Sequence, residues 1–106
     1  IEGHDLGTAL EKQELETSET EIVALFRGLF KIMADYQISH GDMKATNFLL
    51  KDDKIFVLDL DTMTRNTSKG KFMEKFRKDL KRFRKNWVGT SMEPEVRTLL
   101  AEAAKY

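Results

Sequence analysis

A chain of 106 residues has room for one domain and one hydrophobic core, at the small end of the usual range. Hydrophobic residues make up 41% and charged residues 34%, a balance expected of a soluble globular chain rather than a disordered one. No run approaches the roughly 18–20 apolar residues that span a bilayer, and the absence of cysteine excludes disulfides and thiolate metal sites, which suits a reducing compartment.

The formal net charge is zero, but the charges are segregated. Residues 1 to 21 carry seven acids against Lys12 alone, whereas residues 69 to 85 carry nine cations against Glu74 and Asp79. Such asymmetry either steers an anionic partner towards one face or reflects two solvated helix faces. The N-terminus, Ile1-Glu2-Gly3-His4-Asp5, is acidic and lacks the basic and apolar regions of a signal peptide. It also lacks an initiator Met, which raises the expectation of a longer parent protein.

In chain order, residues 1 to 10 read as an extended lead-in strand or linker. Ser18 with Glu21 three residues later gives a capping box for a first helix running to about Gln37. Ile22, Phe26, Leu29, Met33 and Tyr36 recur at spacings of four, three, four and three and form its apolar stripe. Phe48-Leu49-Leu50 and Ile55-Phe56-Val57-Leu58 read as two short strands joined through a turn at Asp52-Asp53, a hairpin. A polar loop is expected from Thr62 to Gly70. A second long helix follows, with Phe72, Phe76, Leu80, Phe83 and Trp87 as a core-facing stripe. Gly89-Thr90-Ser91 breaks it, and Ser91 is expected to cap a last helix with Pro94 in its first turn and Val96, Leu99, Leu100 and Ala103 inside. The expected fold class is mainly α with a small β-hairpin, an α+β arrangement.

The chemistry is concentrated between the first helix and the hairpin. His40, Asp42, Lys44 and Asn47 fall within eight residues, and Asp59 closes the second strand twelve residues beyond Asn47. A hairpin brings its ends together, so Asn47 and Asp59 should converge and offer hard oxygen ligands of the kind Mg²⁺ takes beside nucleotide phosphates. Asp42 is placed to accept a proton from an attacking hydroxyl, and Lys44 to offset charge on a transferred phosphoryl group. His40 is read as orienting the loop through hydrogen bonds. Asp61 is a further carboxylate for the metal or a solvated loop residue, with the sequence favouring the latter.

The run His40-Gly41-Asp42-Met43-Lys44-Ala45-Thr46-Asn47 followed by Leu58-Asp59-Leu60-Asp61 resembles the kinase signature H-R-D-x-K-x-x-N with a later D-F-G. Two departures narrow the resemblance. Gly41 stands where many protein kinases carry an arginine, and Leu60-Asp61 replaces Phe-Gly. The H-G-D form resembles kinases of small molecules, sugars and lipid-linked glycans. With Ile1-Glu2-Gly3-His4-Asp5-Leu6 before it and Arg77-Lys78-Asp79-Leu80-Lys81-Arg82-Phe83 after it, the chain resembles the bacterial lipopolysaccharide kinase family, of the Kdo/WaaP type, over nearly its whole length.

That resemblance implies the C-terminal lobe of a protein-kinase-like fold over residues 1–106, beginning near the interlobe hinge. It implies phosphorylation of a sugar hydroxyl of the lipopolysaccharide inner core with ATP and Mg²⁺, on the cytoplasmic side of a Gram-negative inner membrane. Asp42 and Lys44 are then catalytic, Lys44, Asn47 and Asp59 face the nucleotide, and Asn47 and Asp59 hold the metal. The Gly-rich loop, strand lysine and helix glutamate of such enzymes cannot be placed in these residues, so the lobe alone is expected to have little or no activity. The basic segment 69–85 is expected to face an anionic glycolipid or the membrane surface. A nucleic-acid role is not expected, because its aromatic residues lie on the apolar stripe rather than interleaved with the cations. The alternatives are another H-G-D kinase, acting on aminoglycosides, choline or protein, and a pseudokinase-like binding module. Met92-Glu93-Pro94-Glu95 is read as an ordinary helix start despite its likeness to the A-P-E end of an activation segment.

Overall fold

The computed structural model describes residues 4–5, 19–51, 54–58 and 60–106. Among the described residues, three α-helices, α1 (Glu19–Tyr36), α2 (Lys69–Lys85) and α3 (Glu93–Ala103), pack around one core, with two small antiparallel sheets. The first sheet has the order β1-β3-β4, from β1 (His4–Asp5), β3 (Phe48–Lys51) and β4 (Lys54–Val57). The second is a two-stranded ribbon of β2 (Ile38–Ser39) and β5 (Thr64–Arg65). The fold is thus α+β and mostly helical, as composition and periodicity predict. None of the described helices is long and apolar enough to cross a membrane.

The hairpin forms in the expected register. Phe48 pairs with Val57 and Lys51 with Lys54, while the turn residues Asp52 and Asp53 lie outside the described residues. The lead-in segment pairs with the same sheet, His4 opposite Leu50 and Asp5 opposite Leu49. Along β4, Ile55 and Val57 pack towards the core while Lys54 and Phe56 face outward, the period-two alternation of a half-buried strand.

The core is built on phenylalanines. Phe26 on α1 and Phe83 on α2 lie 4.6 Å apart between ring centroids, and Phe48 at the start of β3 meets Phe26 edge-on at 5.1 Å. Phe30 meets Phe83 edge-on at 5.1 Å, and Trp87 closes the cluster. Such tilted and edge-to-face pairs match the quadrupoles of the rings and add about 0.5–1.5 kcal/mol each beyond area burial. The stripe expected on α2 is buried as a whole. Val96, Leu99 and Ala103 of α3 pack into the same core.

Several local expectations are corrected. On α1, Tyr36 is more than half exposed and Val23 and Phe30 are buried, so the inward face is Ile22, Val23, Phe26, Phe30 and Met33, with the expected Leu29 packed at its margin. Tyr36 falls on the last residue of α1, past the reach of the core. The expected loop 62–70 contains β5, and α2 starts earlier, at Lys69, because the Ser68 hydroxyl accepts the Lys71 N–H. Ser91 is not the cap of α3. Met92 occupies that position without a side-chain bond, and Glu93 instead reaches back to the Gly89 N–H and across to Arg97. Gly89, at φ +80, makes the expected break. The Ser18 cap of α1 lies outside the described residues.

The passage from α1 into β2 turns on Gln37, a non-glycine residue at φ +54. Asn66 stabilises this turn: its main-chain and side-chain N–H groups both donate to the Gln37 carbonyl, and the side chain also donates to the Ser39 hydroxyl. Left-handed backbone costs an L-residue roughly 1–2 kcal/mol, of which glycine gives back part as lost chain entropy. Replacing Gln37 by glycine should therefore stabilise the protein by about 0.5–1 kcal/mol in urea denaturation. A loss of 1 kcal/mol or more would show that the side chain, not the turn, matters there.

Candidate active site

The segment from His40 to Asn47 alternates between core and solvent. His40, Met43 and Asn47 are buried, whereas Gly41, Lys44 and Thr46 are exposed and Asp42 lies between. This alternation separates buried anchors from solvent-facing side chains. Met43 enters the aromatic core, and Phe48, directly after Asn47, sits between Phe26 and Phe83.

Helix α2 holds the segment from beneath. The Asp79 carboxylate accepts the His40 N–H at 2.8 Å with one oxygen and the Gly41 N–H at 2.9 Å with the other. Two turns further along the same helix face, Asn86 grips the chain on either side of Lys44. Its amide nitrogen donates to the Met43 carbonyl at 2.8 Å, and its oxygen accepts the Ala45 N–H at 3.1 Å and an Arg82 N–H at 2.8 Å. Residues seven apart on a helix share a face and lie about 10 Å apart along its axis. One rigid helix thus fixes both ends of the loop.

His40 completes the framework. Its Nδ1 accepts the Asp42 N–H at 3.1 Å, so the ring proton lies on Nε2, which donates to the Leu58 carbonyl at 2.9 Å. The Leu58 N–H in turn donates to the Asn47 carbonyl at 2.7 Å. The end of β4 is therefore stitched to both the start and the end of the loop, and the ends of the hairpin converge as its register requires. His40 has the orienting place that the sequence suggested.

Gly41 has a local reason of its own. Its φ is +98, and a Cβ there would lie 3.2 Å from the Thr62 carbonyl oxygen and 3.3 Å from the Thr62 Cβ. Both the backbone conformation and the close approach favour glycine, whatever the substrate.

On the outer side of this framework, the Lys44 ammonium lies 3.3 Å from an Asp42 carboxylate oxygen, with both side chains partly in solvent. An exposed pair of this kind contributes little to stability, so its interest is chemical. The Asn47 side chain donates to the Asp42 main-chain carbonyl at 2.8 Å. A carbonyl only accepts, so the group facing it is the amide NH₂, and the amide oxygen points elsewhere as a hard donor. Asn47 thus fits the Mg²⁺ role that its sequence position suggests. Its expected partner, Asp59, lies outside the described residues. Asp61 is exposed on the short 3₁₀ turn Leu60–Thr62.

The sequence reading missed Asp79 and Asn86. The signal was present: Asp79 stands three residues after Phe76 and four before Phe83, a carboxylate on an otherwise aromatic face. Charged residues are almost never fully buried unless paired, so such a position asks for a partner.

Burial raises the Asp79 carboxyl above its ordinary value of 3.8, against the opposing pull of the two N–H groups. The folded chain then binds this proton more tightly than the unfolded chain. Stability from this group is fully present below 3.8 and falls as pH rises towards the folded-state value, above which it is level. Asp79→Ala removes this dependence and leaves two N–H groups without their acceptor, at about 1–3 kcal/mol each. Denaturation of both proteins across pH should show a wild-type advantage that is largest in acid and shrinks as pH rises. An advantage that grows with pH would contradict the assignment.

No protein-family model matches the sequence, and no curated protein is similar to it.

Proposed function

We propose that the chain is the catalytic C-terminal lobe of a kinase-like phosphotransferase that moves the γ-phosphoryl group of ATP to an alcohol. The observation that carries this reading is the Asp42–Lys44 pair, 3.3 Å apart beside Asn47, on a loop whose main chain is fixed at both ends by α2. A positioned carboxylate, a positioned cation and an amide oxygen in one loop are the parts that phosphoryl transfer asks of this half of an active site.

In the proposed reaction the acceptor hydroxyl approaches Asp42, and its oxygen attacks the γ-phosphorus as its proton passes to the carboxylate. The bond from the γ-phosphorus to the bridging oxygen breaks, leaving ADP. Lys44 offsets negative charge that accumulates on the transferred group. Asn47, with Asp59 assigned from its sequence position, would hold Mg²⁺, which neutralises charge on the nucleotide phosphates when bound. His40 and Asp79 touch none of the reacting atoms. They keep the loop main chain in the one arrangement that aims Asp42 outward.

For the acceptor, the resemblance to lipopolysaccharide kinases supports a sugar hydroxyl of the inner core. The exposed cations of α2 suit a place beside an anionic glycolipid at a membrane surface. Another H-G-D kinase uses the same loop, so acceptor screening separates the two. With ATP, Mg²⁺ and lipopolysaccharide core acceptors, Asp42→Asn in the full-length protein should lower turnover by about 10²–10⁴-fold. Lys44→Ala should lower it as well, with the fold retained in both. Nucleotide binding without any turnover, unchanged by Asp42→Asn, would support a pseudokinase-like binding module instead.

A further inference from the structure

Between α2 and the β2–β5 ribbon, bordered by Gly41 of the loop, lies a groove of about 270 Å³. Lys75, Lys78 and Arg82 line one wall, and Ser39, Thr62 and Thr64 line the other. None of Asp42, Lys44 and Asn47 borders it. We propose that this groove is a binding site for a phosphate-class oxyanion, a phosphomonoester group carried by a soluble molecule or a lipid.

The charge balance of the groove points to such a ligand. Lys75, Lys78 and Arg82 stand three and four residues apart, so neighbouring like charges repel along one helix face. None of the three forms an ion pair among the described residues. Among the described residues the one acid bordering the groove, Asp79, has an oxygen committed to each of the His40 and Gly41 N–H groups. Arg82 gives one N–H to Asn86, and its guanidinium carries others.

A tetrahedral oxyanion presents oxygens in several directions and takes charge-assisted hydrogen bonds from more than one cation at once. On the opposite wall the exposed Thr64 adds a hydroxyl donor. A monocarboxylate, with two oxygens in one plane and a single charge, offers fewer acceptors to three cations. The volume leaves space for the group that carries the phosphate. Occupancy would also bear on the loop, since Gly41 lines the groove together with Thr62.

This inference does not rest on the phosphotransfer reading, because it concerns binding by residues outside the Asp42–Lys44–Asn47 set. The test is a titration of the ¹⁵N-labelled chain with inorganic phosphate, with acetate at matched ionic strength as control. Saturable amide shifts are expected at Gly41, Thr62 and Thr64, with a dissociation constant of about 1 mM or tighter. The exposed double variant Lys75→Gln/Lys78→Gln should bind at least about tenfold more weakly, while Lys75→Arg/Lys78→Arg should retain binding. Vesicles of phosphatidylcholine with phosphatidic acid form a second arm. A response to vesicles through the same lysines, without one to free phosphate, identifies a lipid headgroup as the source. No response in either arm, an equal response to acetate, or a response unchanged in the glutamine variant would overturn the proposal.

Discussion

A single buried carboxylate decides where the His40–Asn47 loop sits. Asp79 is 3% exposed, and both of its oxygens accept main-chain N–H groups, from His40 and Gly41. An ionised carboxyl is acceptor-only, so its two oxygens suit two converging N–H donors. An asparagine would turn an NH₂ towards one of them. Burying the charge is costly, and the raised carboxyl proton affinity records that cost. The charge is therefore spent on holding geometry. With His40 held, its ring reaches Leu58 and Asp42; with Gly41 held, the chain turns outward at Asp42. Asn86 then fixes the far side of Lys44.

The same helix that holds the loop also forms the centre of the core. Phe83, between Asp79 and Asn86 in sequence, packs against Phe26, Phe30 and Phe48. Phe48 follows Asn47 directly, and Met43 lies between Asp42 and Lys44. Packing density in a phenylalanine core leaves little freedom for such anchors. The Asp42 and Lys44 side chains thus inherit their positions from buried neighbours one residue away. This is how a loop without regular secondary structure over Gly41–Lys44 becomes a precise part of the molecule.

Much of this was legible from the residues. The α2 stripe declared itself through phenylalanines at helical spacing, and the hairpin through two β-rich runs around Asp52-Asp53. Convergence of Asn47 with the end of β4 followed from that hairpin alone. Asp79 escaped notice because it reads as one acid in a basic run, and only its place among Phe76, Leu80 and Phe83 marks it as inward-facing. The β2–β5 ribbon escaped because two-residue strands carry no periodicity. Tyr36 and Ser91 were misplaced by one-residue effects at helix ends, where tertiary packing and capping compete. Gly41 was read as a departure from a kinase arginine, whereas its φ of +98 and the closeness of Thr62 give it a reason independent of substrate.

Asp79 anchors the loop through the His40 and Gly41 N–H groups. Hydrogen exchange of the His40 and Gly41 amides measures this directly, since each N–H ends on that carboxylate. Both amides should be protected to a degree comparable to core amides in α2, with protection lost selectively in Asp79→Ala while the α2 amides stay slow. Exchange of the two amides at the rate of an open loop in the unaltered protein would contradict that anchoring.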